Sequence, residues 1–171
     1  YVYIFWDNNK IEEYFKDDKY HQHLLASPYY NNIPKAFLTD YYRLKILLDF
    51  GGWYIDADCE YISSLDILTN YDNPTTSIIV GYMNGLINNG VIYSDDSIHA
   101  YNILKEWMEI VKIKPTQLPL FENKDHRYCY HHLTQFRGIV QNHKDYVLVL
   151  PNNYFYATSK NKAIILHHKC S

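Results

Sequence analysis

The chain has 171 residues, 16 Lys+Arg against 19 Asp+Glu for a net charge of −3, and an aromatic content of 17% led by 19 Tyr. That length fits one domain able to bury a sizeable core without staples, and 47% hydrophobic against 20% charged residues excludes disorder. The near-even charge gives no electrostatic case for nucleic acid, and no segment reaches the roughly 18 apolar residues of a membrane span.

In chain order, residues 2–6 (Val-Tyr-Ile-Phe-Trp) form a β-rich apolar run, read as a buried strand. Asp7 or Asn8 caps a helix to about residue 19, with Ile11, Tyr14 and Phe15 inward. Residues 21–32 read as a short helix and a loop. Pro34 opens the next helix in its first turn, and Gly51-Gly52 stops it after Phe50. Residues 53–55 are a strand ending in Asp56-Ala57-Asp58, and residues 77–80 and 86–93 are two more. Ser97 caps a helix over 98–112 with Ile103, Leu104, Trp107 and Val111 apolar. A Pro-containing loop over 114–124, a helix over 128–142 and strands at 146–150 and 163–166 complete the chain. Strands alternating with helices predict a layered α/β domain.

The start of the chain lacks the basic region and cleavage site of a signal peptide. Three cysteines, Cys59, Cys129 and Cys170, do not form a disulfide framework, so a reducing compartment is expected. The first residue is Tyr rather than Met, which predicts a trimmed or partial chain.

The chemistry concentrates in residues 36–58. On a helix, Phe37, Tyr41, Leu44 and Leu48 form one apolar stripe, and Ala36, Asp40, Arg43 and Leu47 the neighbouring one. Asp40 and Arg43 stand at i,i+3, able to pair with each other or to reach one ligand. Taken alone they read as a half-buried structural ion pair. Asp56 and Asp58 follow at the carboxyl end of an apolar strand, where open α/β sheets bind ligands. Two carboxylates there repel unless a cation neutralises them, and oxygen ligands suit Mg²⁺ or Mn²⁺.

Asp40-x-x-Arg43 followed by Gly51-Gly52-x-Tyr54-x-Asp56-x-Asp58 resembles the sugar-binding Asp-x-Asp region of family 32 glycosyltransferases, a pattern shared with the clostridial glucosylating toxins. Phe5-Trp6-Asp7 resembles that family's second strand, Leu65-Asp66-Ile67-Leu68 its segment after the motif, and Ile87-Asn88-Asn89-Gly90-Val91 its later Asn-bearing strand. Residues 153–156 resemble its Phe-Tyr-Pro turn with Ala157 in place of Pro, and residues 167–171 its closing His…Ser-Trp.

The resemblance implies a single domain of GT-A, Rossmann-like fold over residues 1–171, with a mainly parallel mixed sheet flanked by helices. It implies a retaining, metal-dependent transfer of a hexose from a nucleotide diphosphate sugar, UDP- or GDP-linked, to a glycan, lipid-linked or protein acceptor. Asp58 would ligate the metal. Asp56 would contact the metal shell, the ribose or the sugar, and Asp40 and Arg43 the donor sugar hydroxyls. Asn89, with Asn88 as second choice, would sit near the reacting sugar, His167 near the metal or diphosphate, and Ser171 at the β-phosphate. Of the tyrosines, Tyr54 beside the acidic motif is the first choice to stack on a sugar.

The chain departs from the family in lacking its opening Ile-x-Trp strand and closing Trp, and in carrying His131-His132 where relatives have Gly-Pro. These departures predict an incomplete nucleotide pocket. The expected location is cytoplasmic, with peripheral association at the inner membrane face.

Two other function classes compete. A haloacid-dehalogenase-type phosphatase also uses Asp-x-Asp after a strand, with Asp95-Asp96 as its only candidate for the later acidic pair. A non-catalytic sugar-binding module is the other. A zinc site from Cys129, His131, His132, His167 and Cys170 lacks standard spacing.

Overall fold

The computed structural model describes residues 2–69, 75–83, 85–123, 131–155 and 164–167. The helices are α1 (Asn8–Phe15), α2 (Lys19–Leu25), α3 (Lys35–Phe50), α4 (Asp66–Thr69), α5 (Ile98–Val111), α6 (His131–Asn142) and α7 (Asn152–Phe155). The strands are β1 (Gly52–Ile55), β2 (Cys59–Tyr61), β3 (Ile78–Met83), β4 (Leu86–Ser94), β5 (Val147–Leu150) and β6 (Ile165–His167).

The main sheet has the order β1-β4-β3-β5, with β2 and β6 forming a separate antiparallel ribbon. β4 is antiparallel to both β1 and β3, whereas β3 and β5 are parallel. β1, β3 and β5 therefore run the same way, and their carboxyl ends share one sheet end with the start of β4. The domain is α/β with a mixed, helix-flanked sheet, compatible with a GT-A-like domain. The expected parallel character survives in the shared direction of three strands, but hydrogen-bonded parallel pairing is confined to β3/β5 because β4 is inserted in reverse.

Side-chain alternation along β3 divides the interior. Ile78 and Val80 join Leu44, Leu47, Ile103, Leu104, Trp107 and Phe136 on the face covered by α3, α5 and α6. Ile79 faces the other way, with Val91, Leu150, Leu65, Leu68, Phe155 and Ile165. On the first face Trp107 of α5 stacks on Phe136 of α6.

The ends of α3 follow local chemistry. Pro34 occupies the N-cap position, one residue ahead of the expected first turn. Gly51 has φ 60° and Gly52 φ 81°, and the Gly51 N–H returns to the Leu47 carbonyl. A Cβ on Gly51 would stand 3.3 Å from the Ser94 carbonyl oxygen, so both its backbone angle and its close neighbour favour glycine. This turn feeds α3 directly into β1 and holds Arg43 and Asp56 in one fixed relation.

Four expectations differ. Residues 2–5 are exposed and unpaired in any described strand, with Val2 91% accessible. Only Trp6 packs, against Tyr14 and Phe50. A short apolar run is a strand only where a neighbour accepts its hydrogen bonds, and no described strand lies alongside. The first helix stops at Phe15 because Asp18 caps a second one, accepting from the His21 N–H. Residues Pro115–Asn123 form a 3₁₀ segment rather than a loop. The ribbon of β2 and β6 was not expected, and Ala163, the start of the expected last strand, lies outside the described residues.

Buried His21 hydrogen-bonds the Tyr42 hydroxyl at 2.8 Å through Nδ1. Burial holds its pKa below the usual 6.5, against the opposing pull of Asp18 and Glu12. The folded state thus keeps His21 neutral, and its contribution to stability is complete above the unfolded value and is lost as pH falls below it. The melting temperature should fall below about pH 6.5, and His21→Gln should flatten that part of the profile.

Candidate functional site

At the carboxyl end of β1, five polar side chains meet. Arg43 Nη2 lies 3.4 Å from Asp40 Oδ1, and Arg43 Nη1 lies 3.3 Å from Asp56 Oδ1. Nη1 also donates to the Asn89 carbonyl at 2.5 Å, and Nε donates to the Thr39 carbonyl at 3.3 Å. Asn89 Nδ2 donates to Asp40 Oδ1 at 2.7 Å, and the Tyr54 hydroxyl donates to Asp56 Oδ1 at 2.8 Å. The guanidinium lies over the Tyr54 ring, 4.8 Å from its centroid. Helix α3 supplies the cation and one carboxylate, β1 the tyrosine, the residue just after β1 the second carboxylate, and β4 the asparagine.

β4 delivers Asn89 by a break in register. Val80 pairs with Ile92, but Gly81 pairs with Asn88, so residues 89–91 are extra on β4. An insertion of this kind re-aims a side chain beside a site. Asn88 Oδ1 accepts from the Gly90 N–H at 2.8 Å and fixes the bulge, while the Gly90 carbonyl accepts from the Asp56 N–H at 2.8 Å. Asn89 thus reaches the cluster directly, and Asn88 shapes the backbone that presents it. The Asn-Asn-Gly run inside a β pattern is the sequence signal for this device.

Burial is graded across the cluster. The side chains of Asp40 and Arg43 are 10% and 7% accessible, and that of Asp56 is 25%. One cation thereby offsets two carboxylates that would otherwise repel in a partly dry site. Burial raises the Tyr54 phenol pKa, Arg43 opposes that shift and the Asp56 charge adds to it, so the hydroxyl stays a donor. The Cys59 thiol is pushed up to about 12 by burial and by the charges of Asp56 and Asp58, which makes it a poor ligand or nucleophile at neutral pH.

Tyr54 therefore positions Asp56 more directly than it offers a stacking face, since Arg43 covers its ring. Tyr54→Phe keeps the ring and removes the donor. It should lower stability by about 1 kcal/mol and weaken any ligand held by Asp56. An unchanged response on both counts would return Tyr54 to a stacking role.

Asp58 is half-buried in the turn after β1. The β2/β6 ribbon pairs Cys59 with His167, which puts the His167 backbone one residue from Asp58. Ser171, Cys129 and Cys170 lie outside the described residues, as do the side chains of His131, His132 and His167. Asp95 sits at the other end of the sheet, after Ser94, whose partner is the first residue of β1, and its Oδ1 accepts from the Ser97 N–H at 2.9 Å. It is a helix-entry residue roughly 17 Å along the strand from Asp56, five residues at about 3.3 Å each. The acidic pair required by the phosphatase reading is therefore misplaced.

The carboxylates of Asp56 and Asp58 are hard oxygen donors, a chemistry that fits Mg²⁺ or Mn²⁺. Among the described residues no three His, Cys, Asp or Glu side chains converge. Ions of this type take one or two carboxylates and complete their shell with water and phosphate oxygens, so two carboxylates meet the requirement.

Residues 1–75 match the family model of the glycosyltransferase sugar-binding region containing a DXD motif. The match supports a glycosyltransferase-like domain. Asp40, Arg43, Tyr54, Asp56 and Asp58 all fall inside the matched segment, whereas Asn89 and His167 lie beyond it. No curated protein and no solved structure gives a significant match.

Proposed function

We propose that the chain is a metal-dependent, retaining hexosyltransferase of the family 32 type, using a UDP- or GDP-linked sugar. The observation that carries this reading is the linkage of Asp40, Arg43, Asp56 and Asn89 at the carboxyl end of β1, with Asp58 two residues on.

Asp58 and Asp56 would hold Mn²⁺ or Mg²⁺, with His167, whose backbone pairs with Cys59, as the further ligand the resemblance implies. The bound cation would offset the charge that develops on the departing diphosphate. Asp56, the more open of the two paired carboxylates, would face the donor and favour positive charge on the sugar ring. Asp40, Arg43 and Asn89 would form the floor on which the donor hydroxyls seat, held to one geometry by their mutual bonds. Arg43 engages both carboxylates of the cluster, which weakens either as a nucleophile and favours front-face attack by the acceptor hydroxyl. Ser171 would complete the β-phosphate contacts. Activity at the inner membrane face fits a lipid-linked or glycan acceptor, and no described helix is long and apolar enough to cross a membrane.

A thermal-shift screen of UDP- and GDP-hexoses, with and without Mn²⁺, tests this reading through mass action. A rise in melting temperature that needs donor and metal together is expected. No rise with any pair would favour a sugar-binding module without transfer.

A further inference from the structure

A second concavity lies on the α6 side of the same sheet end. It encloses about 180 Å³ between the β3–β4 hairpin and α6, and its walls include Tyr82, Leu86, Ile87 and Val140, with Arg137 and Gln141 from α6. The lining is mostly apolar, and its polar groups are the Tyr82 hydroxyl from β3 and the Arg137 and Gln141 side chains from α6. Among the described residues, none of the Tyr82 hydroxyl, the Arg137 guanidinium and the Gln141 amide has a hydrogen-bond or ion-pair partner, so all three polar tips are available to a ligand.

The strand geometry joins this pocket to the cluster. Ile87 precedes Asn89 by two residues on β4, about 7 Å along the strand. Ile87 packs in the cluster beneath α3 and α6, and Asn89 reaches Asp40 on α3, so both lie on the same face of the sheet. Tyr82 is the cross-strand partner of Ile87, at the carboxyl end of β3.

We propose that this pocket is the acceptor subsite and takes a single pyranose ring; the assignment rests on the transferase reading above. A pyranose has an apolar C–H face and a rim of hydroxyls. The first matches Tyr82, Leu86 and Ile87, and the second matches the donors Arg137 and Gln141. The volume lies below the several hundred Å³ of larger ligand pockets and limits the occupant to about one ring. Seated there, an acceptor hydroxyl is directed along β4 toward Asn89. Its oxygen forms the new bond to the anomeric carbon as the bond from that carbon to the diphosphate oxygen breaks, and its proton passes to the departing phosphate.

Saturation-transfer NMR with methyl glucoside, galactoside and mannoside tests the assignment, alongside the melting response to UDP or GDP with Mn²⁺. Tyr82 and Leu86 are exposed, as is Arg137, so their truncation should leave the fold intact. Arg137→Ala and Tyr82→Ala should each weaken pyranoside binding about tenfold and leave the nucleotide response unchanged. A nucleotide response with no pyranoside binding, or with binding indifferent to both variants, would overturn the acceptor pocket alone. A preference for hexyl phosphate over every pyranoside would also overturn it, in favour of an amphiphile site. Pyranoside binding that both variants abolish, without any nucleotide response, would keep the pocket as a sugar site and overturn the transferase reading.

Discussion

Arg43→Ala should lose about 3–5 kcal/mol of folding stability, because it leaves two carboxylates in a partly dry site without their cation. Against a typical total of about 5–15 kcal/mol, that is the largest single loss expected from a polar residue in this chain. Arg43 joins three elements, pairing with Asp40 on its own helix and Asp56 at the end of β1 while donating to the Asn89 carbonyl on β4. Arg43→Lys should recover only part of the loss, since an ammonium cannot span these acceptors with a planar fork. Replacing Asp40 and Arg43 together by Leu and Met should recover more than Lys does, because the repulsion goes with the charge. Urea unfolding of the three variants gives the ranking, and equal stability of Arg43→Ala and wild type would contradict the bridging role.

Asp58→Asn should act in the opposite way. It keeps the size and shape of the side chain, so stability should change by no more than about 1 kcal/mol. The amide is a much weaker ligand for a hard cation, so donor turnover should fall about a hundredfold or more. Added Mn²⁺ should restore part of the rate by mass action. The two variants together separate the cluster's structural part, centred on Arg43, from its chemical part at the Asp-x-Asp turn. Full turnover in Asp58→Asn would remove the metal assignment.

The local part of this arrangement was legible in the sequence. A 3.6-residue apolar period fixed α3 and placed Asp40 beside Arg43, and Gly51-Gly52 marked the turn into β1. The pairing of Asp40 with Arg43 matched the bland structural reading, and the same contact proved part of the candidate site. What stayed hidden was non-local. That Arg43 also holds Asp56 depends on how α3 folds back on β1, and that Asn89 joins them depends on a three-residue slip in β4 which strand alternation conceals. The β2/β6 ribbon joins residues about a hundred positions apart through two three-residue strands, too short to carry a periodic signal. Residues 2–5 err in the other direction, since their composition suits a strand but no described partner lies beside them.

The most direct test is nucleotide release from UDP- and GDP-hexoses by the intact chain, measured with Mn²⁺ and again after EDTA. Release that requires Mn²⁺, stops with EDTA and is lost in Asp58→Asn is the predicted result. Release that continues in EDTA, or that Asp58→Asn leaves unchanged, would contradict a metal-assisted transferase site at Asp56 and Asp58.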